Sequence, residues 1–494
     1  MPITASVLYD LISCPQRAAL DAFGDPAARD EINPFVQLLW DRGALFERET
    51  IDKLQQPFLD LSGFEGEEKE RLTLEAMQRG EPLIYSPLIR AEDLLGVPDL
   101  LRKEAGGYVP GDIKSGAGEE GGGDETEGKP KLHYAVQLSL YVDILERLKL
   151  SSGRRGFIWD VRGKEVAYDL MSPQGPHKPE TLWDEYQSTL AEARAILARE
   201  VTPQGAHSSV CKQCHWYTYC VAQLIAADDL TLIPSLGRSL RDKLQGSFAT
   251  VTDFAAVNPD GFINGKKSAF PGLGPDRLRL FHERASMLKH PTPKAYLRAA
   301  VTLPVTPVEL FFDIEVDPLR DICYLHGIVE RRDGRNDAER FVYFFAPEVT
   351  EAAEREAFAQ AYAYLSQQQN AAIYYYSKYE RTNYRKLQAK YPDVCSADDI
   401  GRLFDSAHAI DLYGDVVIKA TEWPTRDHSI KTLAKYLGFA WRDTHPSGAA
   451  SIEWFDRWCR EGDAAVRQRI LDYNEDDCRA TRVLLDGIRG LAAN

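Results

Sequence analysis

Three of the chain's eight cysteines fall within ten residues, in the stretch "CKQCHWYTYC" at 211–220. Cys211, Cys214 and Cys220 supply three thiols, one donor short of a tetrahedral metal site. Whatever the fold, it has to bring a fourth ligand to this stretch. The other cysteines, Cys14, Cys323, Cys395, Cys459 and Cys478, are scattered, so a ligand role belongs to the clustered trio. At 494 residues the chain exceeds what one hydrophobic core holds, and two or three domains are expected.

A content of 44% hydrophobic and 27% charged residues fits a soluble globular protein. No apolar run is long enough to span a bilayer, and "MPITASVLYDLISCPQRAAL" lacks the charged start and apolar core of a signal peptide. A cytoplasmic location and no membrane partner are the expectation. In that reducing compartment a disulfide framework is not expected. A formal net charge of −16 excludes an indiscriminate nucleic-acid coat protein. It does not exclude an enzyme acting on nucleic acid, because local patches and bound cations outweigh the sum.

Three segments are legible. Residues 1–225 end at the cysteine trio and contain "SGAGEEGGGDETEGKP" (115–130), a surface loop by its glycine and acid content. Residues 226–300 hold a weak repeat, "LIPSLGRSLRDKL" (232–244) and "AFPGLGPDRLRLF" (269–281), each a Pro-x-Leu-Gly turn before an amphipathic stretch. Within 231–300, eleven Lys or Arg stand against five acids. The repeat looks like helix-hairpin-helix elements, in which the turns at Gly237 and Gly274 let backbone N–H groups reach a phosphate, with Arg238 and Arg277 beside them. A basic helical linker is the plainer alternative. Residues 301–494 alternate apolar strands with helices, as in an α/β domain.

Two acidic constellations carry the chemistry. In "GVPDLLRKEAGGYVPGDIKSG" (96–116), Asp112 and Lys114 are two apart on a strand and project to one face, with Asp99 upstream. Two carboxylates can hold Mg²⁺ or Mn²⁺, and an ammonium can orient a water or offset phosphate charge. "YAVQLSLYVDIL" puts Gln137 and Tyr141 four apart on a helical face, and "DRGALFERETI" supplies Glu47. In "VELFFDIEVDP" (308–318), Asp313 and Glu315 share one face of an apolar strand, where only cations make two adjacent carboxylates tolerable. "ILDYNEDDCRATRVLL" adds Tyr473 and Asp477 at i, i+4, with Glu475–Asp476 read as a solvated helix face.

The order Gly-x-x-x-Glu, Pro-Asp, Asp-x-Lys, Gln-x-x-x-Tyr resembles the RecB-like PD-(D/E)xK nucleases over roughly residues 5–222. The resemblance implies a restriction-endonuclease-like core with Glu47, Asp99 and Asp112 as cation ligands. Asp99, Asp112, Lys114, Gln137 and Tyr141 would be its catalytic set. Many relatives carry His where this chain has Phe46. The iron–sulfur branch of these nucleases places one cysteine before the core and Cys-x2-Cys-x5-Cys after it. That implies a 4Fe–4S cluster on Cys14, Cys211, Cys214 and Cys220, a clasp closing a loop of about 200 residues. Zinc satisfies the same four sulfurs, and His215 can stand in for Cys14.

Asp-x-Glu with a late Tyr-x-x-x-Asp resembles the DEDD exonucleases of the RNase H-like fold. The resemblance implies a 3′–5′ exonuclease domain in which Asp313, Glu315, Glu380 and Asp477 hold divalent cations and Tyr473 orients the attacking water. Glu380, from "AAIYYYSKYERTNYRKL", stands where an Asp is expected. Asp411 of "HAIDLY" competes as a further ligand. "DHSIKTLAKYLGF" (427–439) looks like the lysine-bearing helix of the subgroup often fused to RecB-like nucleases, the YprB-type arrangement, with Lys431 on backbone phosphate. The implied function is a bifunctional metal-dependent nuclease acting on DNA more readily than RNA. The alternative is a nucleic-acid-binding or scaffolding protein with inactive sites, its protein partners in repair or defence unidentified.

Overall fold

The computed structural model describes residues 1–120, 128–175, 178–368 and 370–492. Of the expected surface loop 115–130, residues 121–127 lie outside the described residues. The chain divides into two units, 1–223 and 224–494.

The first unit is built on a six-stranded mixed sheet whose spatial order follows the sequence. Its strands are β1 (Leu59–Asp60), β2 (Leu83–Tyr85), β3 (Leu100–Glu104), β4 (Gly107–Ile113), β5 (Arg155–Trp159) and β6 (Glu165–Asp169). β1 runs parallel to β2 and β4 parallel to β5, and the other pairs are antiparallel. The β3–β4 hairpin pairs Leu100 with Gly111, which sets Asp99 beside Asp112. At Gly111 a Cβ would lie 2.2 Å from the Phe157 ring, so only glycine lets β5 approach here. Four helices matter to the sites: α1 (Ala5–Ser13), α2 (Pro15–Phe23), α3 (Pro34–Asp52) and α4 (Leu132–Arg147). Ten consecutive or near-consecutive residues of α4, from Ala135 to Leu145, are buried, as expected of a helix packed on a sheet and covered by others. By contrast, α3 buries only Phe35 and Ile51.

The second unit opens with three short helices, α5 (Arg238–Leu244), α6 (Val251–Ala256) and α7 (Pro275–Lys289), around a small core that includes Leu236, Phe248, Phe254, Phe270 and Phe281. Residues 226–300 therefore carry their own apolar centre, yet they group with the rest of 224–494. Buried Arg284 of α7 makes the connection, donating to fully buried Glu422 at 2.8 Å and to the Pro234 carbonyl at 3.0 Å. The expected α/β pattern follows. A five-stranded sheet has the order β9 (Arg340–Phe345), β8 (Ile322–Arg332), β7 (Val308–Asp317), β10 (Ala371–Tyr375), β11 (Ala409–Asp411). β7 pairs antiparallel with β8 and parallel with β10. The 26-residue helix α11 (Ala464–Arg489) packs against β7 and β8, and α8 (Tyr379–Lys390), α9 (Ile430–Tyr436) and α10 (Gly448–Glu461) complete the layers. Among the described residues no helix is long and apolar enough to cross a membrane.

Candidate nuclease sites

The second unit holds the tighter acidic site. β7 places Asp313 and Glu315 on one face, and α11 brings Asp477 to them. One oxygen from each of the three lies within 4.8 Å of the others. Among the described residues this is the one such group of three acidic, His or Cys side chains. Burial, then Asp477, pushes Glu315 up to about 8, and Asp313 is raised for the same two reasons with Glu315 and Glu380 adding to them. Asp313 and Glu315 thus resist ionising beside Asp477, an arrangement whose donor chemistry suits a cation.

Neutral and cationic donors surround the triad. The Trp441 indole donates to Asp477 Oδ1 at 2.7 Å. Asn474 Nδ2 donates to Asp313 Oδ2 at 2.7 Å. Tyr324 Oη reaches Glu315 at 3.4 Å and Ser451 at 2.8 Å. Lys431, at the start of α9, donates to Tyr473 Oη at 2.8 Å and lies 3.3 and 3.4 Å from the two oxygens of Asp477. The lysine expected on backbone phosphate thus stands beside the acidic group. Tyr473 is buried one turn before Asp477, and its phenol accepts from Lys431, leaving its own hydrogen to donate.

Glu380 sits in the first turn of α8, buried, with Oε2 lacking any hydrogen-bond partner. Its carboxyl is raised by burial, opposed by its own backbone N–H, and raised further by Asp411. It lies near Asp313 but outside the tight group of three. Asp411 is occupied otherwise: its Oδ1 accepts from the backbone N–H groups of Ser377 and Gly414, at 3.0 and 2.8 Å. Asp476 corrects a sequence expectation. Far from a solvated face, it is buried and accepts from the Arg442 backbone and guanidinium at 2.8 and 3.0 Å.

The first unit's site is assembled from more distant elements. Asp99 Oδ2 accepts from the Ile113 N–H at 2.6 Å, and the Asp99 N–H donates to Asp112 Oδ1 at 3.1 Å, so each acid caps the other's strand. Lys114 Nζ lies 3.2 Å from Asp112 Oδ2, as their spacing along the strand demands. Burial and the neighbouring Asp112 raise Asp99, with Lys114 opposing them. Burial lowers Lys114, but Asp112 and Asp99 outweigh it and hold the ammonium charged. Gln137 donates to Tyr141 Oη at 2.9 Å, and Tyr141 donates to the Val97 carbonyl at 3.3 Å, which ties α4 to the turn before Asp99. Glu47, on α3, accepts from Tyr85 Oη at 3.0 Å. Glu47, Asp99 and Asp112 do not form a group as tight as the other triad.

The cysteines converge. Cys14 lies between α1 and α2, and its thiolate would raise both Cys214 and Cys220, as would Cys211. Burial first, then these neighbours, pushes Cys220 up to about 12. Thiols so placed stay protonated unless a metal centre takes them. His215 Nε2 lies 2.6 Å from Asp21, which also accepts from the buried Trp216 indole at 2.9 Å. In the basic segment, Gly237 and Gly274 are exposed helix N-caps of α5 and α7, and nothing lies within 4 Å of where a Cβ would stand. Arg277 stacks over Phe281 at 5.2 Å, and Arg238 begins α5.

Trp441, Asn474 and Ser451 were not singled out by sequence. For Asn474 a signal existed: it falls with Ile470, Asp477 and Thr481 on the buried face of α11, a polar residue inside a buried stripe.

Comparison with known families gives two matches. Residues 13–221 match the family described as the PD-(D/E)XK nuclease superfamily. Residues 310–488 match the family described as the RNase_H superfamily. No curated protein matches the chain.

Proposed function

We propose, from the premise that this chain carries a PD-(D/E)XK nuclease superfamily domain followed by an RNase H superfamily domain, that it is a metal-dependent nuclease with two hydrolytic sites, the second of them a 3′–5′ exonuclease site. The observation that carries the reading is the convergence of Asp313, Glu315 and Asp477 within 4.8 Å. Three clustered carboxyls, those of Asp313 and Glu315 raised by burial and by their neighbours, fit Mg²⁺ or Mn²⁺ by donor chemistry, since hard divalent cations take carboxylate oxygens. Such cations supply Lewis-acid stabilisation of the phosphate being cleaved. The chain's own residues do the rest. Asp313, Glu315 and Asp477 bind, with Glu380 and its unpartnered oxygen as the outer acid. Tyr473, fixed by Lys431, presents its hydroxyl hydrogen to the attacking water. In the first unit, Asp99 and Asp112 bind with Glu47, and Lys114 offsets charge on the phosphate.

Four cysteine sulfurs from Cys14, Cys211, Cys214 and Cys220 form the proposed cluster clasp. An all-thiolate donor set suits a 4Fe–4S cluster, and a zinc ion would take the same four sulfurs. Anaerobically purified protein should be brown, and a colourless zinc-containing preparation would reject the cluster. DNA is the proposed substrate because the exposed glycine turns and basic residues of 226–300 can grip a phosphate backbone without reading bases. That segment is proposed as a domain of its own between 1–225 and 301–494.

The test is hydrolysis of end-labelled DNA with Mg²⁺ or Mn²⁺ by the wild type, Asp112→Ala, Asp313→Ala and the double variant. Each single variant should remove one class of product and the double variant all of them. A second reading, in which the first unit binds nucleic acid without cutting it, is favoured by the separation of Glu47 from Asp99 and Asp112. Asp112→Ala with an unchanged product pattern would select that reading.

A further inference from the structure

Every polar atom of a buried side chain needs a reason to be there, and Asn474 has an unusual one. It is fully buried on α11, and its amide faces two of the three acids of the C-terminal site. Nδ2 donates to Asp313 Oδ2 at 2.7 Å, and the same amide is close enough to Glu315 to oppose the rise of its carboxyl. An NH₂ group has two hydrogens, so one side chain can serve both carboxylates. The orientation is fixed by chemistry. Turned the other way, the amide oxygen would face an acceptor oxygen at 2.7 Å.

The far end of the same amide makes a second demand. Asn474 Oδ1 accepts no hydrogen bond, and it stands 1.6 Å from where a Cβ would be at Gly327. Gly327 is the residue of β8 paired directly with Asp313 on β7. Its φ is not in the left-handed region, so backbone conformation does not require glycine there. The requirement is space: any side chain at 327 displaces the amide that holds Asp313. Three residues from a strand, its partner strand and a distant helix thus depend on one another.

We propose that Asn474 is a positioning residue of the C-terminal site, bridging Asp313 and Glu315 in the geometry a divalent cation needs, and that Gly327 is present to make room for it. The proposal rests on reading Asp313, Glu315 and Asp477 as cation ligands. Its donor keeps Asp313 from turning toward the neighbouring carboxylate to share a proton. Residues that orient metal ligands in this way typically change metal affinity by 10–100-fold when removed.

The test is Mn²⁺ binding, followed by calorimetry or electron paramagnetic resonance, in the full chain carrying Asp112→Ala to silence the first unit's acids. Asn474→Ala adds no atoms and should keep the fold, checked by circular dichroism. It should weaken Mn²⁺ binding about 10–100-fold, lower kcat, and leave KM for DNA within about twofold, a split that a general loss of structure would not produce. Gly327→Ala should weaken Mn²⁺ similarly where Asn474 is kept and add little in the Asn474→Ala background, because the amide it collides with is gone and only the Phe341 ring edge, at 3.1 Å, still has to give. Mn²⁺ binding that is lost in Asp313→Ala but unchanged in Asn474→Ala would overturn the proposal alone. A Gly327→Ala loss of the same size with or without Asn474 would also overturn it. If no Mn²⁺ binding responds to Asp313→Ala, the metal-site reading falls and this proposal with it.

Discussion

The two acidic sites use similar residues and are held in opposite ways. In the second unit, two ligands lie on one central strand and the third on a 26-residue helix packed across it. Four neighbouring side chains, Trp441, Asn474, Tyr324 and Lys431, reach the triad from elements of the same core. In the first unit, Asp99 and Asp112 are locked to each other's backbone, while Glu47 comes from a helix that buries two residues and is held by one phenol. In the proposed reading, one site is assembled before a cation arrives. The other has two fixed acids and a third on a lightly packed support. Where a ligand set spans elements that share a core, packing fixes the geometry; where it spans a loosely packed helix, the cation or the substrate has to complete it.

The sharpest way to break this comparison is to delete one ligand from each site. A cation contributes several kcal/mol of charge stabilisation to the reacting phosphate, so Asp313→Ala should lower exonucleolytic release about 10³-fold or more. Glu47→Ala should cost the first unit's activity less than Asp112→Ala does, since Glu47 is the less constrained ligand. Equal losses would show that α3 is as firmly placed as the strands.

Next in size are Tyr473→Phe and Lys431→Met. Each should lower kcat about 10–100-fold, and the double variant should fall little further than the worse single one, because the two act through a single hydrogen bond. Salt dependence separates this from the phosphate role the sequence suggested. Loss of a phosphate contact on a single strand would reduce the log–log salt slope of binding by about 0.7. An unchanged slope places Lys431 in the acidic site, and a reduced slope returns it to the substrate backbone.

What was legible in the sequence follows from periodicity. Asp313 and Glu315 two apart on a strand, Tyr473 and Asp477 four apart on a helix, and Asp112 with Lys114 all converge because local spacing determines the face a side chain occupies. The cysteine convergence on Cys14 came from the family resemblance and its spacing. The contacts that spacing cannot encode were missed. Trp441 meets Asp477 across 36 residues, and Asn474 meets Asp313 across 161. Asp476 was misread because acidic residues in a helix usually face water, whereas Arg442 folds back over this one. Nor does anything local show that a lysine at 431 ends beside Tyr473 and Asp477.

Tyr85→Phe addresses the weaker half of the comparison. The phenol is raised first by burial and then by Glu47, with which it shares its hydrogen. Removing the hydroxyl should loosen Glu47 and raise the Mn²⁺ concentration needed for half-maximal cleavage by the first unit about tenfold, the low end of what one hydrogen bond to a charged group contributes. The C-terminal site should not respond.

The smallest expected effect is on stability, and its sign comes from Glu315. In the metal-free protein this carboxyl is pushed from 4.5 to about 8 by burial and by Asp477. Between those values the native chain keeps a proton that the unfolded chain has released, so stability falls as pH rises from about 4.5 to 8 and then levels off. Glu315→Gln removes that titration, and in chelator its melting temperature should decline less over the same range, by a few degrees for a unit of this size. Saturating Mn²⁺ should flatten the wild-type profile too, because a bound cation favours the ionised acid that bare burial penalises. Asp99 is also raised, by burial and then by Asp112, with Lys114 opposing them, so Asp99→Asn should flatten the chelated profile in the same direction. A profile that responds to Asp99→Asn and not to Glu315→Gln would mean that the first unit's acids, not the second's, bear the electrostatic strain.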